Sequence, residues 1–265
     1  MRAVALHADV IVFVSDMWQT TCTAVRGGDE GFVIDSVLYP EELRALPDVL
    51  KQAGFPVSGL LATHGDWDHL LGRLAFAGAA LGAGETTVAR LGGELGEAQR
   101  ELRAFDQEHY VDGRAPLPLG SLQSLPVPGH LEIGEGPAAH ELELHETGGH
   151  TPDGVAFWLP WARVLVCGDY LSPVEIPMLS AGGSAEIYRA TLQRLAPLVE
   201  QAEWVVPGHG APYAGERALE ISAEDDAYLA ALTKDPSAAT LPAGRATPTQ
   251  RVIHDANLAF VGAAV

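Results

Sequence analysis

Residues 63–72 read THGDWDHLLG and place two imidazoles and two carboxylates, His64, Asp66, Asp68 and His69, directly after the apolar run GLLA. Three more side chains of the same types follow, each just beyond its own apolar run. They are His150 in ETGGHTPDG after HELELH, Asp169 in CGDY after RVLV, and His209 in VPGHG after EWVV. Imidazole and carboxylate donors suit zinc, iron or manganese. Seven such groups exceed what one tetrahedral ion takes. They suit two ions sharing a bridging carboxylate and a water, a pair that generates hydroxide at neutral pH and clamps a displacement reaction. Each residue alone has a plainer explanation: Asp68 as the N-cap of a helix, Asp169 as a turn residue, a lone histidine as an ordinary polar group. The repeated placement at strand ends, often beside glycine, argues instead for one metal centre built on loops.

The elements that must hold these loops follow from hydrophobic pattern and turn residues. The opening segment AVALHADVIVFV reads as a strand pair, and TCTAV (21–25) and GFVIDS (31–36) continue it as an antiparallel meander. Residues 40–54 read as a helix with Pro40 at the start, acids in the first turn and Gly54 at the end; Pro47 is expected to kink it. A strand VSGLLAT leads into the first cluster, and a helix is expected from near Asp68. The stretch 92–110 is charged and helical in pattern, and 111–120 is loop-like. Strands are expected near 121–133, 140–146, 154–159, 163–167 and 203–206, with helices near 184–202 and 215–233. This alternation is that of a layered α/β fold, and no linker divides it, so residues 1–265 are expected to form a single domain. Within it, 92–118 is a candidate lid insertion or a solvated helix. The tail 234–265 is compatible with a packed end or a dimer arm, which leaves a homodimer open.

Of the 265 residues, 47% are hydrophobic, enough for a sizeable core. The formal charge of −19 repels phosphate backbones, and no Lys/Arg cluster offsets it, so nucleic acid is not an expected partner. No stretch reaches membrane-spanning length, and the N-terminal run lacks a cleavage site. The two cysteines, Cys22 and Cys167, sit in apolar strand contexts and read as buried hydrophobes. A cytoplasmic protein acting on a small molecule, with no membrane partner, is the expectation.

THGDWDH, GGHTPDG, CGD and PGHG, in that order, resemble the metallo-β-lactamase-fold hydrolases over about residues 10–215. The resemblance implies a four-layer αβ/βα sandwich of two mixed β-sheets flanked by helices, with a dinuclear centre at the sheet edge. It implies one metal held by His64, residue 66 and His150, a second held by Asp68, His69 and His209, and Asp169 bridging them. Zinc is the expected metal, with iron and manganese open. The chain departs from the usual H-x-H-x-D-H pattern by reading H-x-D-x-D-H, so Asp66 stands where a histidine is usual. A third carboxylate leaves the centre one charge unit less positive. The bound water is then expected to be less acidified, and Asp66→His to keep metal and lower the pH optimum.

The leading expectation is a metal-dependent hydrolase that uses a metal-bridging hydroxide on a small ester, thioester, lactone or phosphodiester, with Asp68 orienting the nucleophile. Tyr170, after the bridging aspartate, is a candidate oxyanion donor. Trp67, Trp18 and Gln19 are candidate neighbours of the substrate. Thr151, His130 and His145 are candidates for supporting or surface roles. Two alternatives stand beside this reading. One is a non-haem iron redox enzyme resembling persulfide dioxygenases, since two histidines and one carboxylate also suit Fe(II). The other is a non-catalytic metal-binding protein. A carboxylate at position 66 also resembles the flavodiiron branch, which carries a glutamate there and appends a flavodoxin domain; with 56 residues after His209, iron stays open and flavin electron transfer is not expected.

Overall fold

The computed structural model describes residues 1–263; residues 264 and 265 of the tail lie outside the described residues. The first half of the chain runs β1 (Arg2–His7), β2 (Val10–Val14), β3 (Thr21–Gly27), β4 (Glu30–Asp35), α1 (Pro40–Gln52), β5 (Gly59–Leu61), α2 (Gly72–Ala75), β6 (Leu81–Gly84), α3 (Glu85–Gly93), α4 (Glu97–Glu108) and β7 (Leu122–Leu125). The second half runs β8 (Gly129–Ile133), β9 (His140–Glu146), β10 (Val155–Leu159), β11 (Val164–Val166), α5 (Ala185–Gln201), β12 (Trp204–Val206), β13 (Tyr213–Ala214), α6 (Gly215–Lys234) and α7 (Pro248–Ala263). Strands β1 to β7 form one sheet in sequence order. The second sheet has the order β13-β12-β11-β10-β9-β8. Both are mixed: β4 to β7 and the β11–β12 pair are parallel, the rest antiparallel.

The sandwich follows from strands that are apolar on both faces. In β10, Val155, Phe157 and Leu159 point into the layer between the sheets, while Ala156 and Trp158 point to the helices outside. In β2, Val10, Val12 and Val14 face the inter-sheet layer and Phe13 faces the α1 side. Three apolar core layers join the four layers of the sandwich: one between the two sheets, one between the first sheet and α1 and α4, and one between the second sheet and α5 and α6. Cys22 and Cys167 are unpaired and buried in the two outer layers. No helix among the described residues is long and apolar enough to cross a membrane.

Several local expectations change. Helix α1 runs unbroken through Pro47. Its start is fixed by Glu42, whose carboxylate accepts from the backbone N–H groups of Tyr39 (3.0 Å) and Asp16 (2.9 Å) and from the Ser15 hydroxyl (2.6 Å). The expected helix from Asp68 is a single 3-10 turn, Trp67–His69, followed by the four-residue α2. The stretch 92–110 divides at Gly96, whose φ of +80° ends the continuity between α3 and α4. Strand β6, sequence LGAG, escapes the pattern because its small residues carry little periodic signal, yet all four are buried.

Helix α4 is more than a solvated face. Ala98, Leu102 and Phe105 are buried in the first outer layer, and Asp106 makes a buried ion pair of 2.8 Å with Arg114, which also donates to the Leu38 carbonyl at 2.7 Å. The segment is thus a wall anchored in the core.

The tail packs as well. Thr247 accepts from the Gln250 N–H at 3.3 Å and Pro248 opens α7. From α7, Gln250 accepts from the Ile176 N–H (2.7 Å), while Asn257 accepts from the Leu179 N–H (2.9 Å) and donates to the Pro177 carbonyl (2.7 Å). Just upstream, Arg245 is 1% exposed and pairs with the equally buried Asp225 at 2.6 Å; it also donates to the Glu175 carbonyl at 2.8 Å. Residues 245–257 therefore clasp the loop 172–180. Removing the guanidinium strands a buried carboxylate, so Arg245→Met is expected to cost about 3–5 kcal/mol. Urea unfolding measures this, and Asp225→Leu in the same chain is expected to recover much of the loss.

Candidate metal centre

All seven residues lie at one edge of the sandwich, on loops that leave the C-terminal ends of four strands. The loop after β5 carries His64, Asp66, Asp68 and His69. The loop after β9 carries His150, and those after β11 and β12 carry Asp169 and His209. Backbone bonds stitch the two sheets here. The Val155 N–H donates to the Thr63 carbonyl (2.7 Å), and the Thr21 N–H donates to the Gly208 carbonyl (2.8 Å). Gly208 itself is required, because a Cβ there would lie 2.1 Å from the Asp169 carboxylate.

The side chains converge in three overlapping groups: His64, Asp66 and His150; Asp68, His69 and His209; and His64, His69 and Asp169, the donor atoms of each lying within 4.8 Å of one another. The first two are the two sets the resemblance implied. Asp169 lies between them. Its Oδ2 is 3.3 Å from His150 Nε2, 3.5 Å from His209 Nε2 and 3.8 Å from His64 Nε2, and its Oδ1 is 3.2 Å from His69 Nε2. Asp66 Oδ2 is 3.3 Å from His150 Nε2 and 3.6 Å from His64 Nε2. Asp68 Oδ2 is 3.4 Å from His209 Nε2 and 3.7 Å from His69 Nε2.

The opposite ring nitrogens explain this convergence. His150 Nδ1 meets the Met178 carbonyl (2.9 Å), His209 Nδ1 meets the Trp18 carbonyl (3.2 Å) and His69 Nδ1 meets Asp35 Oδ2 (3.0 Å). Each partner is an acceptor, so each Nδ1 carries a proton and each Nε2 points inward, where it offers a lone pair once a cation takes the place of its proton. His64 Nδ1 is 3.1 Å from the Thr63 hydroxyl, which donates its own proton to Asp35 Oδ2 (2.9 Å) and so accepts from the ring. The inward Nε2 atoms of His64, His69 and His150, and Asp169 Oδ1, are buried without a hydrogen-bond partner. Orphaned buried donor atoms on borderline ligands, facing one another across three to four ångströms, fit a divalent metal pair.

The electrostatics demand positive charge. Burial alone would push the His150 and His209 rings down. The neighbouring carboxylates outweigh it, raising His150 to about 9 through Asp66 and Asp169, and His209 to about 10 through Glu175, Asp169 and Asp68. The Asp66 and Asp169 carboxylates are held well below their usual range, against burial, by the surrounding imidazoles.

Three residues unmarked in the sequence belong to the site's surroundings. Asp35, at the end of β4 with φ +57°, accepts from the Thr63 N–H and hydroxyl and from His69, and so orients two rings at once. A carboxylate ending a buried strand was the available signal. Arg90 of α3 lies 2.8 Å from Asp66 Oδ1 and 2.8 Å from Asp153 Oδ1. Glu175, in the loop clasped by the tail, lies close enough to His209 and Asp169 to feel their charges.

Other candidates are placed differently. Tyr170 does not face the cluster as an oxyanion donor. It is 4% exposed in the second outer layer, its ring against Tyr188, and its hydroxyl accepts from the His150 N–H at 3.2 Å. Thr151 bonds the Asp153 carbonyl within its own turn, and His130 and His145 pair with Glu141 and Glu143 away from the cluster. Trp67 is buried against Phe105 of α4. Trp18 and Gln19 both have positive φ, 54° and 52°, a conformation costly for bulky residues. That turn aims the Trp18 carbonyl at His209 and the Gln19 carbonyl at the Gly210 N–H. Asp35→Ala is expected to weaken metal affinity about 10–100-fold. Competition with a chelator measures it; unchanged affinity would mean that the His69 orientation has another source.

Comparisons with known proteins place the fold. The fold matches a metallo-beta-lactamase family protein from Thermus thermophilus with a TM-score of 0.65 and 24% identity, covering 86% of this chain and 83% of that one. It matches the DIM-1 metallo-beta-lactamase at 0.60 and 17%, covering 85% and 96%. It matches TTHA1623 in a di-iron-bound form at 0.62 and 21%, covering 79% and 97%. The family model for the metallo-beta-lactamase superfamily matches residues 15–209, from the end of β2 to His209. The chain belongs to the metallo-beta-lactamase superfamily, whose members are generally metal-dependent hydrolases.

Proposed function

We propose that this chain is a dinuclear metal-dependent hydrolase acting on a small, uncharged ester, thioester or lactone with an apolar substituent. The observation that carries the reading is the position of Asp169, within 3.2–3.8 Å of the inward nitrogen of all four histidines. His64, Asp66 and His150 would hold one ion and Asp68, His69 and His209 the other, with Asp169 shared. The bound pair would supply Lewis acidity and an activated water. The protein's part is to fix the rings by their Nδ1 partners and to hold Asp68, 3.4 Å from His209 Nε2, where it would also orient the nucleophile. Zinc is the proposed metal.

The substrate class rests on the walls. Trp18 is 39% exposed, and its ring lies 6.4 Å from His209, 5.0 Å from Phe105 and 6.3 Å from His109. This aromatic surface beside the ligands suits an apolar substituent. Burial and the ligand carboxylates raise the Glu175 carboxyl and, on α4, that of Glu101, and the same acidic surroundings disfavour phosphodiesters and other anions. A cytoplasmic location and action as a single domain are part of the same proposal.

A second reading, iron-dependent oxygen chemistry, has one observation in its favour: with Asp66 each set has two histidines and one unshared carboxylate. Metal content separates the two. Plasma mass spectrometry on protein made without added metal is expected to give about two zinc or manganese ions per chain; iron with oxygen consumption would favour the second reading. Asp169→Ala is expected to lose at least one ion and nearly all hydrolysis, and full retention of both would refute the bridging role. Trp18→Ala is expected to raise KM for an aryl or long-chain ester about tenfold while sparing acetyl esters, since an apolar contact of this size contributes roughly 1–3 kcal/mol. Equal effects on both substrates would remove Trp18 from the substrate surface.

A further inference from the structure

Among the described residues, Asp66 is the one ligand candidate with a strong cation on its far side. Its two oxygens have separate partners: Oδ2 faces His64 and His150, while Oδ1 lies 2.8 Å from the Arg90 guanidinium. Arg90 is itself held. Its other terminal nitrogen donates to Asp153 Oδ1 at 2.8 Å, and its Nε donates to Glu94 at 3.2 Å. Asp153 is 1% exposed on its side chain, and its Oδ2 accepts from the Gly65 N–H at 2.9 Å, so the residue beside Asp66 is tied into the same network. Gly65 fits closely there, since a Cβ would come within 3.2 Å of Asp153.

We propose that Arg90 is the positioning residue that lets an aspartate serve at position 66: it pins Oδ1, leaves Oδ2 alone to face the metal, and offsets the charge that a histidine would not have brought. This inference rests on the dinuclear reading above. A planar guanidinium holds a carboxylate in a defined orientation, which a point charge does not. The permanent charge, 2.8 Å from Oδ1, also draws on the electron density that Asp66 offers an ion. Arg90 sets one positive charge against Asp66, Asp153 and Glu94, so the pocket is less negative than its carboxylates alone imply.

The consequence is a coupling between positions 66 and 90. By the motif alone, Asp66→His restores the usual pattern and keeps metal. With Arg90 present, the new imidazole faces a guanidinium that has lost its partner on that side and now points its charge at two cations. Asp66→His is therefore expected to weaken binding of the more loosely held zinc ion about tenfold, and the double variant Asp66→His with Arg90→Gln to recover most of that loss. The measurement is a chelator-competition titration of zinc on wild type, both single variants and the double variant, with thermal melts confirming folding.

A purely structural role for Arg90, holding α3 to Asp153, predicts that the two losses add in the double variant; additivity would overturn the proposal. Should Arg90→Gln not fold, Arg90→Lys keeps the charge. The Asp66→His, Arg90→Lys chain is then expected not to recover, and recovery there would overturn the proposal as well. Wild-type protein that binds no zinc would refute the dinuclear reading itself, a result distinct from additivity in a protein that binds two.

Discussion

Four imidazole rings can offer Nε2 to one small volume only if each Nδ1 is taken up on the far side. The rest of this structure follows from that requirement. The four acceptors come from four different places: Asp35 at the end of β4, the Thr63 hydroxyl after β5, the Met178 carbonyl in the loop after Asp169, and the Trp18 carbonyl in the turn between β2 and β3. Only His64 finds its acceptor on its own loop, and that acceptor, the Thr63 hydroxyl, is itself held by Asp35 of β4. The site is therefore a property of the whole sandwich edge, and the backbone bonds between Thr63 and Val155 and between Thr21 and Gly208 keep the two sheets in register there.

Much of this arrangement is readable from residue order. The apolar runs that end in His64, His150, Asp169 and His209 announce both the strands and the functional edge, because an ionisable residue directly after a buried strand has few plain explanations once it recurs. The α/β layering is legible for the same reason, since doubly apolar strands such as VAFWL must be covered on both faces. What pattern does not carry is any partner that lies far along the chain. Arg90 sits in TTVARLGG with nothing to set it apart, and only folding brings it to Asp66. Tyr170 shows the converse. Its neighbour Asp169 faces the cluster, but adjacent residues leave a loop in different directions, and the phenol goes to the core. Strand β6 is invisible because Gly82, Ala83 and Gly84 fit a crowded site between strands without adding hydrophobic signal.

Charge is distributed with the same economy. The chain is strongly anionic overall, and the cluster collects further carboxylates in a buried setting, yet only one arginine stands against them at close range among the described residues. The cluster's remaining demand for positive charge is left to its imidazoles and to whatever cation it binds. On the proposed function, that charge balance favours a dication at the cluster and an uncharged molecule approaching past the aromatic turn at Trp18.

The clasp formed by residues 245–257 has a consequence for how the molecule is made. His150 depends on the Met178 carbonyl, and the loop that presents Met178 depends on Gln250 and Asn257. All seven candidate ligands leave the ribosome well before these two. Until α7 emerges, the nascent chain holds every donor atom but lacks the brace for one of its rings. On the proposed function, the brace behind the His150 ring is complete only once α7 has packed against the loop that presents Met178.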